Sequence, residues 1–303
     1  MRTRGEDNGS FQEGDGTGEM PMCEYVRRGE WLETAAGMDR LPVPERMLKQ
    51  LELSGGIREG GGKLRLHLFP GSDPGFAPEW MDLSILYEDD FVLVVNKPAG
   101  MPVHPAERGG TGSLANAVAA YYESTGQAVA VRHIHRLDAD TTGPVLYAKN
   151  AFAQTVLDRQ MREKKIARVY LAVVAGVPDP PSGTVNAPLG RDRHHAGRRR
   201  VSRTGVKAVT HYETVESWAG SGASLVRLRL ETGRTHQIRV HMSYIGTPIY
   251  GDALYGGPGT ELMRRQALHG ESLLFIHPWY GDPRHIKAPL PDDLAGLIGH
   301  LRN

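Results

Sequence analysis

Strand-like and helix-like segments alternate along this chain, which predicts a fold of the α/β or α+β class. Two observations carry that prediction. Short apolar runs of strand length occur at FVLVVN (91–96) and ARVYLAVVAG (167–176), and stretches with the apolar spacing of an amphipathic helix lie between and after them. Taken in order, ERMLKQLEL (45–53) reads as a short helix, and the alternating KLRLHLF (63–69) as a strand. PGSDPGFAPEW (70–80) has the turn chemistry of a connection, so a boundary falls near residue 80. FVLVVN ends at Asn96-Lys97-Pro98, because proline cannot donate to a ladder. SLANAVAAYYES (113–124) is a helix with Ser113 placed to cap its first turn. PVLYA (144–148) is a strand, and AFAQTVLDRQMREKK (151–165) is an amphipathic helix through Phe152, Val156 and Met161. SLVRLRLE (224–231) alternates like a half-buried strand. After the turn Thr232-Gly233-Arg234, THQIRVHMSYIG (235–246) puts Ile238, Met242 and Ile245 on one helical face.

The 303 residues are 40% apolar and 23% charged, the composition of a globular chain with a substantial core. No run approaches the roughly 20 apolar residues of a membrane span, and the glycine-rich, acidic start has no hydrophobic centre of an export signal. The lone Cys23 can form neither an internal disulfide nor a cysteine metal site, so a cytoplasmic protein is expected. Residues 1–20 combine five glycines with five acids and are expected to be disordered. Residues 21–80 form a small N-terminal extension, and 81–303 one domain.

The net charge of +1 hides an asymmetry: residues 1–100 sum to −7 and the remainder to +8. Seven cations fall within RDRHHAGRRRVSRTGVK (191–207), among them Arg198, Arg199 and Arg200. Such a segment points to a polyanionic partner and to phosphate contacts; a solvated basic loop is the plainer alternative.

Three constellations carry candidate chemistry. In HIHRLDADTTGPVLYAKN (133–150), His133, His135 and Asp138 mimic a metal-ligand set, but Arg136 and Leu137 intervene and a cation there opposes a metal, so no metal site is expected. In LETGRTHQIRVHMSYIGTPIYGD (230–252), Arg234, His236 and Arg239 cluster about a glycine turn and a helix start. An arginine turned inward from that helix needs a carboxylate, and Asp138 is the candidate. In ARVYLAVVAG, Tyr170 sits in an otherwise aliphatic strand, a position more often occupied by a core residue than by a ligand contact.

Those stretches, together with VVNKPAGMPVHP (94–105) and GVKAVTHYETVE (205–216), occur in an order that closely resembles the large-subunit ribosomal RNA type of pseudouridine synthases, over about residues 90–290. The resemblance implies a mixed, largely antiparallel central sheet with flanking helices and a central RNA-binding cleft. It also implies RNA, ribosomal or transfer, as partner, with no obligate protein partner, no metal and no organic cofactor; a monomer is expected. It assigns the catalytic aspartate to Asp138, the strand tyrosine to Tyr170 and the helix arginine to Arg239. Arg136 becomes the side chain that enters the RNA stack when uridine is flipped, with His135, Arg234 and His236 as further RNA contacts beside Arg198, Arg199 and Arg200. Thr142 stands where the family usually has serine, a change that keeps the hydroxyl. ERMLKQLELSGGIREGGGKLRLHLFP resembles the helix and last strand of an alpha-L RNA-binding motif with its middle shortened. Isomerising uridine within RNA breaks the bond from base nitrogen to sugar and rejoins the base through carbon 5. The aspartate can serve as a nucleophile toward sugar or base, or as a base in an elimination, and Tyr170 offers a face for the turning base. A protein that keeps this fold and binds RNA without the reaction is the nearest rival.

Overall fold

The computed structural model describes residues 23–303, so the disorder expected at 1–20 falls outside the described residues. Strands β1 (Val26–Arg28) and β2 (Trp31–Thr34), helix α1 (Glu45–Leu53), and strands β3 (Ile57–Gly60) and β4 (Lys63–Leu66) come first, the strands forming an antiparallel sheet in the order β1-β2-β4-β3. The alternation read in KLRLHLF emerges as buried Leu64 and Leu66 with exposed Lys63 and Arg65. Those two cations and Arg28, each more than half exposed, gather around the single buried carboxylate of Glu33. Leu32, Leu66 and Phe69 share one core with Phe91, Phe152 and Trp279, and the Trp279 indole N–H donates to the Cys23 carbonyl at 2.6 Å. The extension is therefore packed onto the following domain. The connection expected at 70–80 lies along it as well, with Ser72 donating to the Ala128 carbonyl and Glu79 to that of Asn116.

The next sheet, in the order β5-β6-β8-β7, consists of β5 (Ser84–Glu88), β6 (Val92–Lys97), β7 (Arg132–His133) and β8 (Gly143–Ala148), with α2 (Leu114–Ser124) inserted after β6. The Ser113 hydroxyl and the Asn116 side chain cap α2 reciprocally, so the expected cap is a full capping box. Strand β6 explains its own unbroken apolar run: Leu93 and Val95 enter the core beneath α2, while Val92 and Val94 enter the one beneath α3 (Ala151–Arg162).

The chain continues through β9 (Ala167–Ala175), β10 (Ser182–Asn186), the hairpin β11 (Leu189–Arg191) and β12 (Arg199–Val201), β13 (Val209–Trp218), β14 (Ala223–Leu230), α4 (Gln237–Tyr244), β15 (Leu268–Ile276), β16 (Pro283–Lys287) and α5 (Asp292–Arg302). Six of these strands form the largest sheet, in the order β10-β13-β14-β9-β15-β16. Every ladder is antiparallel; among the described residues the one parallel pairing is the isolated bridge between Thr142 and His269, which stitches the β5-β6-β8-β7 sheet to the six-stranded one. Gly143 permits that seam. Its φ is +127°, and a Cβ there would lie 2.5 Å from the Gly270 carbonyl oxygen. No described helix is long and apolar enough to cross a membrane.

Candidate active site

Asp138 lies in the loop between β7 and β8, at the seam, and each of the four residues after it is held by a side chain from elsewhere. The Lys97 ammonium donates to the Ala139 carbonyl, and Arg265 donates to that of Asp140 at 3.0 Å. Gln266 donates to the Thr141 hydroxyl at 3.2 Å, and the Thr142 hydroxyl is 2.8 Å from His269 Nδ1. The hydroxyl kept by the serine-to-threonine difference is thus in use. A loop fixed at consecutive residues holds its carboxylate without waiting for substrate, the preorganisation that positional catalysis requires.

The carboxylate faces α4. Arg239 Nη1 donates to Asp138 Oδ2 at 3.3 Å, and His236 Nε2 is 3.9 Å from the same oxygen. Arg239 has a stronger partner, however. Its Nε and Nη2 donate to the two oxygens of Asp252 at 2.7 and 2.8 Å, a bidentate pair whose acid is 1% exposed. The Arg239–Asp138 pairing expected from sequence is therefore present, with Asp138 as the second acid on Arg239 and Asp252 as its main counter-ion. Burial alone would pull the guanidinium pKa down, but the Asp252 bonds and the Asp138 charge outweigh it and raise it, so the cation is permanent. Oδ1 of Asp138 accepts no side-chain bond among the described residues.

Tyr170 and Arg168 alternate with outward-turned neighbours on β9 and face the same cleft, which Asp138, Arg136, Arg234 and Arg239 also line. Tyr170 is 5% exposed, and burial raises its phenol pKa against the opposing charge of Arg168, so the ring is neutral. Arg136 is exposed at the lip with Nη1 3.5 Å from His104 Nε2, and Arg234 is exposed with Nε donating to the Lys207 carbonyl. His236 caps α4 from the left-handed region at φ 58°, its Nδ1 2.8 Å from the Tyr255 hydroxyl. Burial lowers its pKa, against the opposing pull of Asp138.

The basic hairpin divides. Arg198 lies 5.4 Å from the Tyr255 ring centre, the Arg199 backbone N–H donates to the Tyr255 hydroxyl, and Arg200 is exposed. His135 is a different case from the RNA contact expected of it. It is buried, its Nε2 accepts the Leu146 backbone N–H at 3.3 Å, and burial pushes its pKa down to about 3. It supports β8 as a neutral ring. His133, stacked on His104 at 5.4 Å, and Asp138, on Arg239, each have other partners, so the triplet does not converge.

Sequence reasoning missed Lys97, Arg168, Asp252, Arg265, Gln266 and His269. Asp252 ends the quoted motif 13 residues after Arg239, and Arg168 stands two before Tyr170, the strand period that puts both on one face. Lys97 was visible in the NKPAG run, but its pairing with three carbonyls is a tertiary fact.

The site is thus an aspartate on a clamped loop at the seam of two antiparallel sheets, opposite an arginine from a short helix. The family model for RNA pseudouridylate synthase matches residues 91–244, and the chain belongs to that family. It is 45% identical over 241 residues to the uncharacterized RNA pseudouridine synthase YhcT of Bacillus subtilis (strain 168), covering 80% of each chain. It is 41% identical over 256 residues to ribosomal large subunit pseudouridine synthase D of Xylella fastidiosa, covering 80% of this chain and 76% of that one. The fold is also similar to human RNA pseudouridylate synthase domain containing 4, with a TM-score of 0.60 at 24% identity over 72% of this chain and 93% of that chain. The protein is an RNA pseudouridine synthase, an isomerase acting on RNA.

Proposed function

We propose that the cleft isomerises a specific uridine of ribosomal or transfer RNA, with Asp138 as the reacting group. The observation that carries this reading is the Asp138 carboxylate itself: 20% exposed, on a residue that lines the cleft, with Oδ2 anchored to Arg239 and Oδ1 accepting no side-chain bond among the described residues. Anchoring Oδ2 orients Oδ1, as both a nucleophile and a base require. Uridine reaches it by leaving the RNA stack, at a cost of a few kcal/mol, which Arg136 offsets by filling the gap from the lip. Tyr170, neutral and flat, stacks on the base while the bond from N1 to the sugar breaks and C5 takes its place. The C5 proton is lost and N1 gains one, so no atom is consumed overall. Ribosomal RNA is favoured over transfer RNA by the name of the Xylella relative.

Single-turnover tritium release from RNA carrying 5-tritiated uridine tests the assignment. Folded Asp138→Asn is expected to release none while binding RNA close to normally. Release near the wild-type rate would remove Asp138 from the chemistry. Comparing the pseudouridines of a strain lacking the protein with those of its parent identifies the uridine.

A further inference from the structure

The cleft holds a second cation with a different status from Arg239. Arg168 is 7% exposed, yet its guanidinium makes no hydrogen bond and no ion pair with any described residue, and its Nε is buried without a partner. Buried arginines are ordinarily paired, because an isolated charge taken out of water carries a large desolvation cost. Every other arginine buried to this degree here is paired: Arg239 on Asp252, and Arg265 on Asp293 at 2.7 Å. Arg168 lines the same cleft as Asp138 and Tyr170. The opposite wall is shaped around it, since a Cβ on Gly233 would fall 2.7 Å from Arg168 Nη1 and push the guanidinium aside. The turn Thr232-Gly233-Arg234 therefore leaves room for that group in that place. The facing ring, His135, is neutral and gives no counter-charge.

We infer that Arg168 is a substrate-binding residue whose missing counter-ion is a backbone phosphate adjoining the flipped uridine. A phosphodiester is the anion that RNA delivers with every nucleotide, and the planar fork of an arginine suits it. The inference rests on the proposed reading of the cleft as a uridine site. It gives Arg168 a task distinct from the rim cations: it grips the nucleotide that has left the stack, so its contribution appears only when a uridine can be flipped in.

The test uses the full chain and a short RNA substrate in which the phosphate 5′ or 3′ to the target uridine is replaced singly by an uncharged methylphosphonate. For the wild type, one of the two replacements is expected to weaken binding roughly ten- to hundredfold, the loss of a charge-assisted hydrogen bond. Arg168→Met is expected to bind unmodified RNA as weakly, and to lose nothing further with the same methylphosphonate. Gly233→Ala, which displaces the guanidinium without removing its charge, should weaken binding in the same direction. The Tm of free Arg168→Met should stay equal or rise, because an uncompensated buried charge has been removed. Full losses that multiply in the variant, methylphosphonates without effect on the wild type, or a lowered Tm with unchanged RNA affinity would each overturn the inference. Tritium release by the wild type, measured alongside, keeps this separate from the proposed function: absence of release defeats that reading, whereas release with any of those three results defeats the phosphate contact alone.

Discussion

At the scale of single residues, the consequence of the Asp252 pair is that chemistry and stability separate. Asp138→Asn removes one 3.3 Å contact at a cleft-exposed acid, and Arg239 keeps its bidentate partner. Its expected cost in unfolding free energy is below about 1 kcal/mol, with isomerisation abolished. Asp252→Asn does the reverse to the pair: the acid is 1% exposed, and breaking a buried ion pair by removing one partner costs about 3–5 kcal/mol. Urea unfolding of the two variants beside the tritium assay distinguishes them; equal destabilisation would mean that Asp138 is the main counter-ion after all. His135 supplies a pH prediction. Its pKa is about 3 when folded against an ordinary value near 6.5. Between those values the unfolded chain holds a proton that the native ring does not, so this residue makes stability fall as pH drops from 6.5 toward 3. The slope approaches about 1.4 kcal/mol per pH unit. Carboxylates such as Asp89, whose pKa burial raises but His277 lowers overall, add to the loss only as pH nears the ordinary carboxylate range. The readout is therefore the difference from His135→Gln, whose stability should decline less steeply between pH 6.5 and 5. Identical slopes would place a charged His135 in the native state.

Among the elements, the β11–β12 hairpin and α4 act together because Tyr255 ties them. Its hydroxyl accepts the Arg199 N–H and meets His236 Nδ1, and the Arg198 and Arg239 guanidinia lie 5.4 and 5.0 Å from its ring centre. The basic strand is thereby set beside α4, where it can follow an RNA backbone past the cleft. Neutralising Arg198, Arg199 and Arg200 together is expected to weaken binding to most RNA sequences alike and to flatten the salt dependence by up to about three units of slope. Arg200, exposed and without a ring partner, should account for about one of those units alone. Filter binding across a salt series reads both, and an unchanged slope would leave the hairpin as a solvated loop.

For the whole molecule, the N-terminal extension belongs to the stability of the domain. Leu32, Leu66 and Phe69 complete a core with Phe91 and Trp279, so removing residues 1–79 would expose apolar surface on both sides of the cut. Removing residues 1–20 deletes a glycine- and acid-rich segment with little to bury. Calorimetry on the two truncations should show the shorter one within a few degrees of the parent and the longer one far below it or insoluble. Loss of more than a few degrees on deleting 1–20 would mean that the tail is docked.

By itself the sequence determined what depends on local order along the chain. The period of the apolar residues marked the helices Leu114–Ser124 and Ala151–Arg162, the second three residues shorter than its spacing suggested, the Ser113 side chain announced its own cap, and the FVLVVN run announced a strand. The motif order marked Asp138, Tyr170 and Arg239, because residues that share one cleft recur as recognisable short strings. What only the tertiary structure decided is which charge meets which. Arg239 reaches Asp138 across 101 residues of chain but grips Asp252 only 13 away, and nothing in residue spacing ranks those two acids. Lys97, Arg265, Gln266 and His269 clamp the aspartate loop from two distant stretches of chain. His135, which reads in the sequence as an exposed polar contact, turns inward because the strand after it needs an acceptor for Leu146. Hydrogen bonds and ion pairs are short-ranged and directional, so the partners are fixed only when the sheets come together along the seam at Thr142 and His269.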